Sequence, residues 1–191
     1  SISVQDEINN TINSTIEALW DAVPALLNDL ESSFLDYYEE KIDLKNILSF
    51  HSWVGGDRDG NPNVNSEVTK GAIKNQISLI VGKYLDDLNI LFDDLSIHVA
   101  DSINVSRLSK SIEKDLRIIK LDENVIKRYQ YEPLRLKVLC ICKKLKDFEE
   151  LVMNNFKASY SSSEFNHDLN IINEFLYNVF DDDTLVVGLM K

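Results

Sequence analysis

Apolar residues recur three or four positions apart over most of the chain, which is the spacing of one face of an α-helix. Pro24 interrupts the first such stripe, and a proline inside a helix removes a backbone hydrogen bond and clashes with the preceding turn. We therefore predict two helices, over about residues 3–20 and 22–40, with Asp21 capping the second. The stripe consists of Ile8, Ile12, Ile16, Leu19, Val23, Leu26, Leu27, Leu30 and Phe34.

The same periodicity predicts four further helices. They cover about residues 66–93, 105–120, 132–152 and 162–179. Ser66 is the N-cap candidate of the first, and Pro133 suits the first helical position of the third. Ser161-x-x-Glu164 is a capping-box pattern that opens the last helix. The fold class is therefore mostly α, with at least five helices in a single segment of 191 residues.

A short stretch before the first glycine pair departs from the helical pattern. Its bulky residues are crowded together: Ile47, Leu48, Phe50 and Trp53. This crowding favours a short strand over Leu48–Trp53 that leads into a Gly-rich loop. The predicted architecture is a helical array with one short strand.

Composition and charge narrow the class of partner. The chain has 32 acidic and 20 basic residues and a formal net charge of −12, so a polyanion would be repelled. We expect neither a nucleic acid nor a membrane as partner. No apolar stretch approaches the roughly 18 residues that span a bilayer. The N-terminus lacks the features of a signal peptide, so a cytoplasmic protein is expected.

The two cysteines, Cys140 and Cys142, are separated by one residue. On a helix their side chains would point about 200° apart, so they can neither share a metal ion readily nor form a disulfide with each other. We interpret them as small apolar side chains in a reduced protein.

Residues 50–64 hold three of the six glycines, one of the three prolines and one of the two tryptophans. Gly55 and Gly56 allow backbone angles closed to other residues and a close approach to the main chain. An arginine stands between two carboxylates that could fix its guanidinium: Asp57, Arg58 and Asp59. The segment is either a rigid turn with an internal ion cluster or part of an active site.

Two familiar ligand loops do not fit this segment. If Gly60 takes the sixth position of an EF-hand, Gly55 and Ser66 fall at positions one and twelve, where carboxylates are required. Neither a G-x-G-x-x-G nor a Walker pattern is present, so a phosphate cradle is also excluded.

The run from Phe50 to Val64, F-H-S-W-V-G-G-D-R-D-G-N-P-N-V, continues to Glu67-Val68-Thr69. It resembles the F-G-S-W-M-G-G-D-R-D-G-N-P-N-V…E-V-T segment of phosphoenolpyruvate carboxylase. Weaker resemblances to the family lie on either side, in order along the chain. They are Leu19–Pro24 to its L-W-x-A-V-P helix, Tyr131–Arg135 to its E-P-Y-R helix, and Ser163–Leu169 to the helix that follows. The departures are His51 for Gly, Val54 for Met, and Asn65-Ser66 for Thr-Pro.

The resemblance implies a lyase that carboxylates phosphoenolpyruvate with bicarbonate and gives oxaloacetate and phosphate, an anaplerotic supply to the tricarboxylic acid cycle. It also implies a piece of an α/β barrel surrounded by helices, Mg²⁺ or Mn²⁺ in the full-length enzyme, and a homo-oligomer. The implied substrate-pocket residues are Trp53, Gly55 and Gly56. The implied loop-structuring residues are Asp57, Arg58, Asp59, Gly60 and Asn61.

The family's catalytic histidine in T-A-H-P, its Gly-Arg-Gly-Gly loops and its C-terminal arginines do not occur in this sequence. No catalytic residue and no metal ligand is therefore assigned here, and no metal is expected on this chain alone. We expect an internal piece or truncated form of the enzyme that is inactive by itself. The alternative is a non-catalytic helical interaction or regulatory module derived from the family.

Overall fold

The computed structural model describes residues 4–44, 47–57, 59–95, 105–155 and 157–179. They form six helices: α1 Val4–Tyr38, α2 Ser66–Asp94, α3 Ser106–Leu116, α4 Glu123–Arg128, α5 Pro133–Asn155 and α6 Ser162–Val179. The mostly α prediction is confirmed. The chain divides into two compact units, Ser1–Ile80 (unit 1) and Val81–Lys191 (unit 2). The single segment of a larger catalytic domain stays a prediction.

The first helix is continuous, so the prediction of two helices divided at Asp21 is wrong. Pro24 lies inside α1. The apolar spacing keeps the same phase on both sides of Pro24, so one continuous helix keeps the stripe on a single face. The fixed φ of proline is helical, and its missing N–H removes only one intrahelical hydrogen bond.

The strand predicted over Leu48–Trp53 is not present, because the described residues contain no strand. A strand needs a partner for its backbone groups, and the described part of the chain supplies none here. The bulky side chains that suggested it are exposed: Ile47 by 56%, Leu48 by 44%, Phe50 by 58% and Trp53 by 77%. The segment is an irregular lead into the glycine turn.

Several helix ends lie where the sequence placed them. Pro133 is the first residue of α5. Before α6, the Ser161 N–H donates to Glu164 Oε2 at 2.8 Å, and the Glu164 N–H donates back to Ser161 Oγ at 3.2 Å. These two bonds complete the predicted capping box. The short helix α4 was not predicted. It begins after Asp122, whose side chain accepts from the N–H of Asn124 at 2.7 Å.

The core of unit 1 is small and joins the first halves of α1 and α2. Ile8, Ile12 and Ala72 are buried there, and half-buried side chains pack around them: Val4, Ile16, Val54, Val68 and Leu79. Val54 belongs to the loop, so the loop shares this core. The second half of α1 exposes large apolar side chains, among them Leu26 and Leu30. The whole of α1 has seven acidic residues and no Lys, Arg or His.

In unit 2, α3, α5 and α6 pack against one another. Both cysteines are free and buried in α5. Burial is the main cause that raises the pKa of the Cys140 thiol to about 12 and that of Cys142 to about 11. The core also contains three charged side chains, Asp115, Lys137 and Asp168. Within the described residues, no helix combines the length and the apolarity needed to cross a bilayer.

Candidate functional site

A tight turn over residues 53–56 stands at the centre of the candidate site. The Gly56 N–H closes it by donating to the Trp53 carbonyl at 3.0 Å. Gly55 has a φ of 78°, in the left-handed region that favours glycine. A Cβ at Gly55 would lie 2.7 Å from the Ala72 Cβ and 3.0 Å from the Ile8 Cδ1. Both the backbone angle and the lack of space therefore require glycine at position 55.

Helix α2 binds this turn through a side-chain hydrogen bond. The Thr69 hydroxyl donates to the Gly55 carbonyl at 2.8 Å, and its oxygen also lies 3.1 Å from the Asn65 carbonyl. Val54, between the turn's ends, packs against the unit 1 core. The close approach at Gly55 is thus made by the chain's own helices.

The second half of the loop is organised by its own side chains. The Gly60 N–H donates to Asp57 Oδ1 at 3.2 Å, and the Asn63 N–H donates to Asn61 Oδ1 at 2.9 Å. Such side-chain bonds to nearby backbone groups are typical of Asx turns. Arg58 lies outside the described residues, so its predicted pairing with the flanking carboxylates stays a prediction. Asp59 is exposed.

The loop ends at the N-cap of α2, which is Asn65 and not the predicted Ser66. Asn65 Oδ1 accepts from the N–H groups of Glu67 and Val68, both at 3.0 Å. Ser66 is already the first helical residue. Asparagine and serine are equally good caps in a sequence, so composition could not choose between adjacent positions.

Trp53 is the first residue of the turn and is 77% exposed. It is therefore not a core tryptophan of the described chain, and its position depends on the turn backbone. His51, which replaces the family's glycine, is also exposed, and its Nε2 lies 2.8 Å from Ser49 Oγ.

Unit 2 contains a constellation that the sequence did not predict. Lys137 is fully buried, and its Nζ donates to Ser111 Oγ at 2.7 Å, Asp115 Oδ2 at 2.7 Å and Asp168 Oδ1 at 2.6 Å. All three ammonium protons therefore have acceptors. A buried lysine needs such pairing, because an isolated charge loses its hydration without compensation.

Lys144 completes what we call the buried ion cluster, which consists of Asp115, Lys137, Lys144 and Asp168. Its Nζ bonds to Asp168 Oδ2 at 2.7 Å and also pairs with Asp115. The Tyr160 hydroxyl donates to Asp168 Oδ2 at 2.6 Å. Two lysines and two aspartates give the cluster no net charge.

The pKa values within the cluster follow from burial and these bonds. Burial alone would raise the pKa of Asp168, but hydrogen bonds from Lys137, Lys144 and Tyr160 outweigh it and lower that pKa. Burial and then the bond to Asp168 raise the pKa of the Tyr160 hydroxyl. Burial would lower the pKa of Lys144, yet its two carboxylate partners raise it. The cluster thus keeps Asp168 ionised, Lys144 protonated and Tyr160 neutral.

The cluster borders a cleft of about 660 Å³ between α3, α5 and α6. The lining includes apolar residues such as Ile118, Leu151 and Ile171 and charges of both signs. The ammonium protons of Lys137 already have protein acceptors, so we assign this group a structural role. Among the described residues, no group of three or more His, Cys, Asp or Glu side chains is placed to hold a metal ion.

The described segment is therefore helical. Its glycine turn packs against α1 and α2, belongs to the sequence motif of residues 50–64, and presents the exposed side chain of Trp53. Comparison with known proteins gives the family. The sequence model of phosphoenolpyruvate carboxylase matches residues 1–182. The chain belongs to the phosphoenolpyruvate carboxylase family.

Individual relatives agree with this assignment. The phosphoenolpyruvate carboxylase of Prochlorococcus marinus subsp. pastoris is 31% identical over 195 aligned residues, which cover 99% of this chain and 20% of that protein. The enzyme of the same name from Synechocystis sp. is 35% identical over 147 residues, which cover 76% of this chain and 14% of that protein. The chain therefore spans about one fifth of the length of the first of these relatives and less of the second.

Proposed function

We propose that this chain is part of an enzyme that carboxylates phosphoenolpyruvate with bicarbonate and forms oxaloacetate and inorganic phosphate. The observation that carries the proposal is the family motif folded as a glycine-locked turn, with Trp53 presented at its first position. A cytoplasmic location and a homo-oligomeric enzyme, both implied by the family, belong to the same proposal.

In this reaction an enolate must meet a carboxylating species before water does, so the pocket needs apolar walls. The indole of Trp53 offers a large rigid apolar face on which the methylene carbon of phosphoenolpyruvate can pack. Gly55 and Gly56 form the adjacent part of the wall. Asp57, Asp59, Gly60 and Asn61, together with Arg58, are proposed to shape the loop beside it.

The family implies Mg²⁺ or Mn²⁺, which would supply charge stabilisation at the phosphate and enolate oxygens. The described residues do not fit such an ion, since no suitable group of ligands is present among them. We therefore derive no step of the reaction through a metal on this chain. Its proposed contribution is the apolar wall and the loop that holds it.

We propose that the isolated chain is inactive, because the cationic groups and the catalytic histidine of the family motifs are not in its sequence. Loss of one positioned donor can cost an enzyme about 10²–10³ in rate. The measurement is a coupled oxaloacetate assay with phosphoenolpyruvate, bicarbonate and Mg²⁺. Turnover by the 191-residue chain would contradict this expectation.

The site assignment is tested in a full-length family enzyme that carries this segment. Trp53→Ala should raise KM for phosphoenolpyruvate or lower kcat/KM, while the melting temperature falls only modestly. The matched control is Tyr37→Ala, which removes an aromatic residue that is 84% exposed at the C-terminal end of α1, whereas Gly55 of the turn packs on Ile8 near the N-terminal end. Normal kinetics for Trp53→Ala would remove Trp53 from the pocket.

The alternative function is a non-catalytic helical interaction or regulatory module. The exposed apolar residues on the second half of α1, such as Leu26, Leu30 and Leu35, favour it, because such surfaces often bind other proteins. An enzyme segment without its neighbours exposes the same residues. The encoding gene separates the two, because only the enzyme requires T-A-H-P upstream and Gly-Arg-Gly-Gly downstream in the same reading frame.

A further inference from the structure

The side chain of Trp53, the first residue of the turn, is little restrained by the rest of the described chain. Trp53 is 77% exposed, so packing within the described chain does little to fix its ring. The backbone of residues 53–56, which is closed by one hydrogen bond of 3.0 Å from the Gly56 N–H to the Trp53 carbonyl, sets the direction in which the Trp53 side chain leaves the main chain. Any group that holds this backbone therefore fixes the point and the direction from which the ring projects.

Thr69 is such a group. A threonine inside a helix ordinarily returns its hydroxyl proton to the carbonyl four residues earlier, which for Thr69 is Asn65. Here that distance is 3.1 Å, whereas the distance to the Gly55 carbonyl is 2.8 Å. One hydroxyl has a single proton to donate, and the shorter distance favours the turn. The bond joins residues 14 positions apart in the sequence.

The Gly55 carbonyl also lies at the most constrained point of the turn. Gly55 is buried and has a φ of 78°, and the side chains of Ala72 and Ile8 occupy the space that a Cβ at this position would need. The side chains of Ala72 and Ile8 restrain the turn at Gly55, and the hydrogen bond from the Thr69 hydroxyl restrains the direction of the Gly55 carbonyl.

We propose that Thr69 is a positioning residue for the pocket wall, and that it orients the indole of Trp53 through the Gly55 carbonyl. This inference rests on the proposed function for its kinetic consequence, but not for its structural one. One experiment tests the structural consequence and another tests the kinetic one, so a failure of this inference can be told apart from a failure of the proposed function.

The structural experiment uses the 191-residue chain. Trp20→Phe leaves Trp53 as the single tryptophan, and time-resolved fluorescence anisotropy then reports the motion of that ring. Thr69→Val keeps the shape and removes the hydroxyl, so we expect a larger fast component of depolarisation. Thr69→Ser should restore the original decay. Thr15→Val makes the same chemical change at an exposed position of α1 and should change nothing. An unchanged decay in Thr69→Val would overturn the inference.

The kinetic experiment uses a full-length family enzyme that carries this segment. Thr69→Val should raise KM for phosphoenolpyruvate about 2- to 10-fold, the range that corresponds to one ordinary hydrogen bond, with kcat nearly unchanged. Thr69→Ser should recover most of the loss. A residue that only stabilises the fold would instead lower the active fraction and hence kcat, and would leave KM unchanged.

A double variant tests the route through Trp53. If Thr69 acts through the indole, adding Thr69→Val to Trp53→Ala should raise KM no further. If Trp53→Ala raises KM and Thr69→Val does not, the inference is wrong while the proposed pocket stands. If Trp53→Ala leaves KM unchanged, the pocket assignment fails and the kinetic role of Thr69 fails with it. The anisotropy of the 191-residue chain still decides whether Thr69 holds the turn.

Discussion

Replacing Lys137 by methionine is the sharpest test of the buried ion cluster. The side chain of Lys137 is 0% exposed, and those of Asp115 and Asp168 are 4% and 7% exposed. With both lysines present the cluster is neutral. Without Lys137, two carboxylates share the single ammonium of Lys144, and a net charge of −1 is left in the core.

The expected cost follows from that uncompensated charge. Removing one partner of a buried ion pair typically costs about 3–5 kcal/mol of unfolding free energy, much more than the net value of the pair. Methionine fills a similar volume, so the lost charge and not a cavity should dominate. Lys143→Met is the matched control, because its ion pair with Asp147 is about one-third exposed. A pair of this kind on a helix surface should be worth at most about 0.5 kcal/mol.

Adding Asp115→Asn to Lys137→Met restores neutrality, since Lys144 and Asp168 then remain as one pair. We therefore expect the double variant to be less destabilised than the sum of the singles, by about 0.5–3 kcal/mol. Urea unfolding of the chain by circular dichroism measures the free energies, and hydrogen exchange of the α5 amides locates the loss in unit 2. A cost below about 1 kcal/mol for Lys137→Met, or strict additivity in the cycle, would refute this account.

The remaining predictions concern two glycines, one aspartate and the two cysteines. Gly82→Ala should stabilise α2 by about 0.5–1 kcal/mol, because alanine loses less conformational freedom than glycine when a helix forms. The added Cβ would meet nothing within 4 Å. Gly55→Ala should instead destabilise unit 1, by at least about 1–2 kcal/mol, because a side chain at positive φ meets its own backbone. Urea unfolding measures both free energies, and changes of the same sign for the two variants would contradict these predictions. The pKa of Asp168 is lower in the folded chain than its ordinary 3.8, so its stabilising contribution is complete above that value and is lost as the pH falls through the folded pKa. The unfolding free energy of Asp168→Asn should therefore fall less steeply at acid pH than that of the parent chain. Equal slopes for the two proteins would contradict this expectation. With pKa values of about 12 and about 11, Cys140 and Cys142 should react with a thiol reagent far more slowly in the folded chain than in urea, and equal rates would show that they are accessible.

Elements specified by short-range chemistry could be predicted from the sequence. Pro133 and the Ser161–Glu164 capping box act over three or four residues, and α5 and α6 begin beside them. The break at Pro24 was wrong because one local penalty was given more weight than a stripe that stays in phase over the whole of α1. The strand was wrong because a strand depends on a distant partner that no local pattern contains.

The buried ion cluster was missed for a related reason, although its signal was present. Lys137 lies three residues after Leu134, on the apolar face of α5, and Asp168 and Asp115 hold similar positions on α6 and α3. A charge on an apolar face is costly alone, so three such charges of both signs indicate that they meet. In the candidate site, the need for glycine at position 55 was expected, but the contacts that impose it were not. They depend on how the loop folds onto α1 and α2.

The one-sided charge of α1 gives this helix an unusual dependence on ionic strength. Seven carboxylates and no cation lie along its 35 residues. At the usual rise per residue, such a helix is roughly 50 Å long. Asp36, in the last turn, also opposes the helix dipole. The Debye length is about 30 Å in 0.01 M salt and about 3 Å in 1 M salt, so dilute buffer leaves these carboxylates in mutual repulsion and concentrated buffer screens them. Added salt should therefore make α1 less prone to fray, whereas the buried ion cluster, in which Lys137, Asp115 and Asp168 are at most 7% exposed, should respond less.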